Sequence, residues 1–310
     1  MNRKPYVWKL KERSLLLGER TLIMGVLNVT PDSFSDGGKY DDPDRAFARA
    51  VQLEEDGADI LDVGAESTRP GSQRISEAEE LRRLIPVLKR LRGKLSIPIS
   101  VDTYKSAVAK NALETGAEII NEPSSLTWDP EVARVSAQFD AGLILNHMRG
   151  TPETWSKLPP MKDVINGIGS DLGACVHRAV RMLVDKSRIV IDPGIGFGKR
   201  KEQNAEILAR LPELARLDLP LLVGPSRKSF LPPAEQDGPD YATAAAVTAA
   251  ILGGAHIVRV HDVAGMKIAI QVADQILTGG TVDIPEAPER PAQPEPRRPR
   301  QSFPQPKRNG

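Results

Sequence analysis

The chain has 310 residues, 40% apolar, 4% aromatic and 27% charged, with 42 Lys and Arg against 41 Asp and Glu. That length and apolar share suit one large α/β domain with a full core, and the neutral balance lacks the basic excess of a dedicated nucleic-acid binder. The lone Cys175 excludes an internal disulfide, and no stretch is apolar over a membrane-spanning length, so a cytoplasmic protein without membrane partners is expected.

Residues 1–19 read as a short basic N-terminal extension whose apolar run, Leu15 to Leu17, is too brief for a secretory signal. From 20 to 280, β-branched runs alternate with helix-period segments. The strands predicted are Leu22–Asn28, Ile60–Gly64, Ile97–Asp102, Ile119–Asn121, Leu143–Asn146, Arg188–Asp192, Leu221–Gly224 and Ile257–Arg259. Between the first two, Asp44 to Asp56 reads as a helix stopped by Gly57. Ser76 opens a second with capping-box spacing, and a third spans Lys105 to Thr115, ending at Gly116. The Ala-rich stretch from Tyr241 to Ala255 fits a packed helix. Regular alternation over about 250 residues predicts parallel strands, right-handed crossovers and a closed (β/α)8 TIM barrel. From Thr281 onward, prolines recur at 285, 288, 291, 294, 296, 299, 304 and 306 with few apolar residues between them. Residues 281–310 are therefore expected to be a disordered tail.

Each predicted strand runs into a polar side chain: Asn28, Asp62, Asp102, Asn121, Asn146 with His147, Asp192, Ser226 to Lys228, and Arg259 with His261. One such residue would be an ordinary turn former, but the series coincides with the C-terminal rim, where barrels of this kind hold their active sites. Barrel closure brings the last strand beside the first, placing Arg259 and His261 on one strand face near Asn28, a good anion site. The loop carrying Ser226, Arg227, Lys228 and Ser229 would add to it, and a diphosphate would suit the space. The competing reading pairs Arg259 and His261 with rim carboxylates. Asp102, Asn121 and Asp192 would project into a narrow mouth suited to the N–H edge of a flat amino-pyrimidinone heterocycle, with Lys228 on its ring; internal Asp–Lys pairing would satisfy the same groups. The loops 28–38 and 66–71 both follow strands at the rim and read as lids. Residues 192–199 miss Walker spacing and read as a tight loop presenting Phe197. His147, His177, His256 and His261 show no zinc spacing, there is no Gly-x-Ser-x-Gly elbow, and Cys175 reads as core. A magnesium ion held by one amide and by substrate phosphates remains open.

MGVLNVTPDSFSDGG at 24–38, DVGAESTRPG at 62–71, ISVDTYK at 99–105, DPGIGFGK at 192–199, VGPSRKSF at 223–230 and RVHDV at 259–263 together resemble the dihydropteroate synthase family. The resemblance covers almost all of 20–280 and leaves the tail outside. It implies a folate-pathway transferase joining 6-hydroxymethyl-7,8-dihydropterin diphosphate to p-aminobenzoate, with release of diphosphate. It further implies that Asn28 ligates Mg2+, that Arg259 and His261 hold the diphosphate with Thr68 and Ser67 nearby, and that Asp102, Asn121, Asp192 and Lys228 read the pterin. Phe34, Pro70, Phe197, Lys228 and Ser229 would frame p-aminobenzoate, while Asp36 and Arg69 would order the closed site. Asn28, Asp36, Arg69 and Arg259 would be the catalytic set. A homodimer and inhibition by sulfonamides are also expected from the resemblance.

The sequence departs from the family pattern at Glu122, where Asp usually follows the pterin-binding Asn, at Pro123, and at Asn146, where Met is common. Ala65 replaces a usual Gly. Two rivals are a pterin-dependent methyltransferase barrel, which would need neither the anion site nor both lids, and a non-catalytic pterin-binding paralogue.

Overall fold

The computed structural model describes residues 3–30, 43–67, 71–233 and 240–280. The predicted tail, and most of the loop after the first barrel strand, lie outside these residues. An antiparallel hairpin of β1 (Tyr6–Lys9) and β2 (Ser14–Leu17) precedes β3 (Leu22–Asn28), α1 (Pro43–Glu55), β4 (Ile60–Gly64) and α2 (Glu77–Leu91). Then come β5 (Ile99–Asp102), α3 (Ser106–Thr115), β6 (Ile119–Glu122), α4 (Glu131–Gln138), β7 (Gly142–Asn146) and α5 (Val164–Arg181). The chain continues through β8 (Ile189–Asp192), α6 (Lys201–Ala209), β9 (Leu222–Val223), α7 (Tyr241–Leu252), β10 (Ile257–Val260) and α8 (Val263–Thr278).

β3 to β10 pair in parallel in the order β8-β7-β6-β5-β4-β3-β10-β9, and a bridge between Ile191 and Leu221 joins β8 to β9 and closes the ring. The expected (β/α)8 barrel is therefore the observed one. Local chemistry sets its element ends. Ser76 accepts from the Glu79 amide at 3.2 Å to start α2, whose first turn is acidic and whose last turn holds Lys89 and Arg90, both favourable to the helix dipole. α3 ends at Gly116 with φ 119°, a left-handed conformation that glycine takes without penalty. Three strands are shorter than predicted; β8 begins at Ile189 because Arg188 closes the tight turn before it. Pro98 has no N–H to join the ladder, so β5 begins at Ile99, and Pro225 likewise curtails β9 to Leu222–Val223.

Alternation along the strands separates two apolar layers. Ile23, Leu61, Val101, Ile120, Leu143, Ile191, Val223 and Val258 face the surrounding helices, in one large core. Met24, Ile60, Ile119, Ile144, Val190, Leu222 and Ile257 face inward and meet Trp8, Leu10 and Leu17 of the hairpin. The segment read from sequence as a mere extension is thus a plug for the N-terminal mouth of the barrel. Trp8 is buried there, and its indole N–H donates to the Arg188 carbonyl at 2.8 Å. The plug leaves the opposite rim as the open end. None of the helices among the described residues is long and apolar enough to cross a membrane.

Candidate active site

The inward face changes character towards the rim. Two residues beyond the floor, which is apolar except at Ser100 of β5, the same strand faces carry Asp62, Asp102, Asn121, Asn146, Asp192 and Arg259, while Asn28 ends β3. Neighbouring strands hold these groups level: Asn28 is in register with Gly64, Gly64 with Asp102, Asp102 with Asn121, and Asn146 with Asp192. A narrow slot results, lined by Asp102, Asn121, Pro123, Asn146, Asp192, Ile195, Phe197, Gly224, Lys228 and Arg259. It adjoins a wider mouth of about 450 Å3 that includes Asn28, Ser67, Ser226, Lys228, Ser229, Arg259 and His261 in its walls. Asp102, Gly224, Lys228 and Arg259 border both spaces, so slot and mouth form one site.

Arg259 is the hinge of this arrangement. Its Nε donates to Asp62 at 2.7 Å and its Nη2 to Asp102 at 3.1 Å, leaving Nη1 without a hydrogen bond among the described residues. The competing reading of Arg259 as a rim ion-pair partner is therefore realised in part: two of its nitrogens are held by carboxylates, and both hold it towards the mouth. Burial opposes its charge, but Asp62 and Asp102 more than compensate, so its pKa rises. Asp62, completely buried, also accepts from the Asn121 amide at 3.2 Å. The sequence places Asp62 in the rim series but gives it no role; its partners Arg259 and Asn121 supply one.

Burial pushes the Asp102 carboxyl up to about 7, against the pull of Arg259, and the Asp192 carboxyl up to about 6, against the Gly194 amide that donates to it at 2.7 Å. Burial and then Arg259 push the Lys228 ammonium down to about 8. Lys228 Nζ lies 4.2 Å from the centroid of Phe197, a cation–π contact, and Phe197 meets Trp155 edge-on at 5.4 Å. The predicted Phe197 loop is indeed tight: Gly194 has φ 69°, and a Cβ there would lie 1.9 Å from the His147 carbonyl oxygen. Half-buried Lys199 ties this loop down by donating to the carbonyls of His147, Pro193 and Gly194 at 2.7–2.8 Å.

At the other end of the mouth, Ser226 Oγ and His261 Nδ1 are 3.1 Å apart, joining the loop after β9 to the end of β10. Val260, between Arg259 and His261, is buried in the outer core. The Asn28 carboxamide makes no hydrogen bond among the described residues, and its Oδ1 would lie 3.7 Å from a Cβ on Gly64. Glu66 and Lys105 were not anticipated. Lys105 bridges Glu66, at the mouth, to buried Glu80, and Tyr104 donates to Glu66 at 3.1 Å, anchoring the base of the second rim loop. Phe34, Asp36, Thr68, Arg69 and Pro70 lie outside the described residues. Of the departures, Glu122 faces the helix layer, where it accepts from the amides of Ser124 and Leu126 and from the Ser124 hydroxyl. It supports a turn in which Ser125 and Leu126 both have φ 57°. Glu122 therefore does not alter the slot, whereas Pro123 and Asn146 line it.

Known proteins with this arrangement decide its ancestry. A family profile described as pterin binding enzyme matches residues 24–261, most of the chain. The chain is 47% identical over 264 residues to the dihydropteroate synthase of Synechocystis, covering 84% of this chain and 91% of that protein. The chain belongs to the dihydropteroate synthase family of pterin-binding enzymes. Identity to the Bacillus subtilis dihydropteroate synthase is 43% over 279 residues, 88% of this chain and 94% of the relative. Among solved structures, Yersinia pestis dihydropteroate synthase with a sulfonamide drug superposes with TM-score 0.81 at 36% identity, over 88% of this chain and 99% of the other. The Burkholderia cenocepacia enzyme complexed with 7,8-dihydropteroate gives 0.77 at 36%, over 89% and 98%. The family match begins in β3 and ends at His261, so it takes in every strand end of the dihydropteroate synthase barrel described above.

Proposed function

We propose that this chain is a transferase that condenses 6-hydroxymethyl-7,8-dihydropterin diphosphate with p-aminobenzoate, giving 7,8-dihydropteroate and diphosphate in folate biosynthesis. The observation that carries the reading is the continuity of an acid-lined slot with a cation-lined mouth through Asp102, Lys228 and Arg259. A flat ring with N–H donors at one edge matches Asp102, Asn121 and Asp192, and Lys228 would bond a ring acceptor. Arg259 Nη1, His261 and Thr68 are the diphosphate contacts of this reading. Phe34, Pro70, Phe197, Lys228 and Ser229 frame p-aminobenzoate, with Asp36 and Arg69 ordering the closed site.

The Asn28 carboxamide, uncommitted to any hydrogen bond among the described residues, fits a Mg2+ ion and would hold it through its oxygen, a hard donor suited to that cation. When bound, that ion would neutralise charge on the leaving group. The reaction breaks the C–O bond, whose electron pair leaves with the diphosphate. The aryl amine nitrogen then bonds to the exocyclic methylene and loses a proton. Arg259, already held by two carboxylates, meets the developing charge without reorganising, which is where such donors contribute most. The enclosing slot keeps water from the cationic methylene.

Diphosphate release measured with and without p-aminobenzoate tests this reading. Release that requires p-aminobenzoate and matches dihydropteroate in amount is the expected result. Pterin binding without any release would favour a methyltransferase-like barrel or a non-catalytic paralogue, and release without p-aminobenzoate would show hydrolysis in place of condensation. Sulfonamides, as mimics of p-aminobenzoate, are expected to compete with it. A homodimer is supported by Ile268, Val272 and Ile276 of α8, an apolar stripe at helical spacing that is exposed beside α7. A cytoplasmic location fits the single buried cysteine.

A further inference from the structure

Asn146 ends β7 on the inward face, only 3% exposed, and its side chain lines the slot. Its Nδ2 donates to the Pro123 carbonyl at 2.8 Å. Only the amide nitrogen can donate to a carbonyl, so that bond fixes which way the carboxamide points. The other end, Oδ1, is buried and has no hydrogen-bond partner. The backbone around it is pinned, with Ser125 Oγ donating to the Asn146 carbonyl at 2.7 Å and the His147 amide to the Asp192 carbonyl at 2.9 Å. The side chain therefore cannot readily turn its acceptor elsewhere. A buried acceptor left without a donor is costly, and an apolar residue of the same size would avoid the cost, so the group is explained by a donor that arrives with the ligand.

We propose that Asn146 is a specificity-determining contact of the slot, its Oδ1 accepting a hydrogen bond from a ring N–H of the bound pterin. The inference rests on the pterin reading above and deepens it. Asp192, the register neighbour of Asn146, gives one oxygen to Gly194 and leaves the other for a second donor on the ring. The amide and the carboxylate together then require two donors along adjacent positions of the heterocycle. Unlike Asp102 and Asp192, the carboxamide does not titrate, so its selection operates at any pH at which the protein is folded.

Calorimetric binding of 6-hydroxymethyl-7,8-dihydropterin diphosphate with Mg2+, and of pteridine analogues each lacking one N–H by deamination or N-methylation, tests the assignment in wild type and Asn146→Leu. Asn146→Met is a second apolar replacement should the first fold poorly. Wild type is expected to prefer the parent by about tenfold over one analogue, and the variants to reduce that preference to about twofold or less, with parent affinity lowered. Unchanged preferences across all analogues, or parent affinity undiminished in both variants, would overturn the proposal, even if thermal stability fell. Failure of the wild type to bind any pterin would instead overturn the functional reading, and with it this one.

Discussion

Arg259 combines a structural and a proposed catalytic role, and the geometry allows them to be separated. Arg259→Leu removes two charge-assisted hydrogen bonds and leaves Asp62 completely buried without its cation. Breaking one side of such a pair costs about 3–5 kcal/mol, a large share of the roughly 5–15 kcal/mol that holds a domain folded. Arg259→Leu alone should therefore unfold early in urea, and its low activity would say little. Adding Asp62→Asn takes away the stranded charge while keeping an acceptor for the Asn121 amide. The double variant should regain most of the lost stability, because the two substitutions are strongly coupled. Its kcat/KM should nevertheless remain down by about 10²–10³-fold, the usual effect of losing a preorganised donor to a developing anion. Urea unfolding paired with initial-rate kinetics measures both. A well-folded double variant within about tenfold of wild-type kcat/KM would refute a direct part for Arg259 in the chemistry.

Three further outcomes follow from the same geometry. The Asp192 and Asp102 carboxyls, raised to about 6 and 7, must be ionised to accept ring N–H groups, and Lys228, lowered to about 8, must be protonated. kcat/KM should therefore fall below about 7 and above about 8, and Lys228→Arg should abolish the alkaline limb; a limb unmoved in that variant would assign it elsewhere. Trp8→Ala empties the plugged floor of the barrel, and should cost about 3–5 kcal/mol in urea unfolding with KM little changed; a loss below about 1 kcal/mol would contradict the plug. Lys105→Met strands Glu66 and Glu80 and should cost about 3 kcal/mol, with Glu80→Gln added to it restoring part of that loss. No recovery in that pair would show that Lys105 stabilises by another route.

The barrel was legible because short β-branched runs alternate with helix-period segments, and the two-residue period of a strand sorts each run's side chains by face. It placed apolar residues such as Met24 and Ile60 on the floor, and polar residues such as Asp102 and Asp192 two or more steps above. What alternation does not reveal is which groups meet across the lumen. Arg259 contacts Asp62 across 197 residues of chain, a pairing that depends on ring closure and strand stagger. The same limitation hid the Lys105–Glu66–Glu80 cluster, whose members come from the N-cap of α3, the loop after β4 and α2. β1 and β2 are four residues each, too short for a firm pattern, although Tyr6, Trp8 and Leu10 do alternate. The departure at Glu122 leaves the slot untouched although its neighbour Asn121 lines it, because one residue along a strand reverses the face.

The central claim is that one site holds a pterin ring and its diphosphate end to end. The most direct measurement is a crystal structure with 6-hydroxymethyl-7,8-dihydropterin diphosphate and Mg2+. The account predicts the ring edge against Asp102, Asn121 and Asp192, with the diphosphate beside Arg259, His261 and Asn28. A ring seated outside that slot, or a diphosphate away from Arg259 and His261, would contradict it.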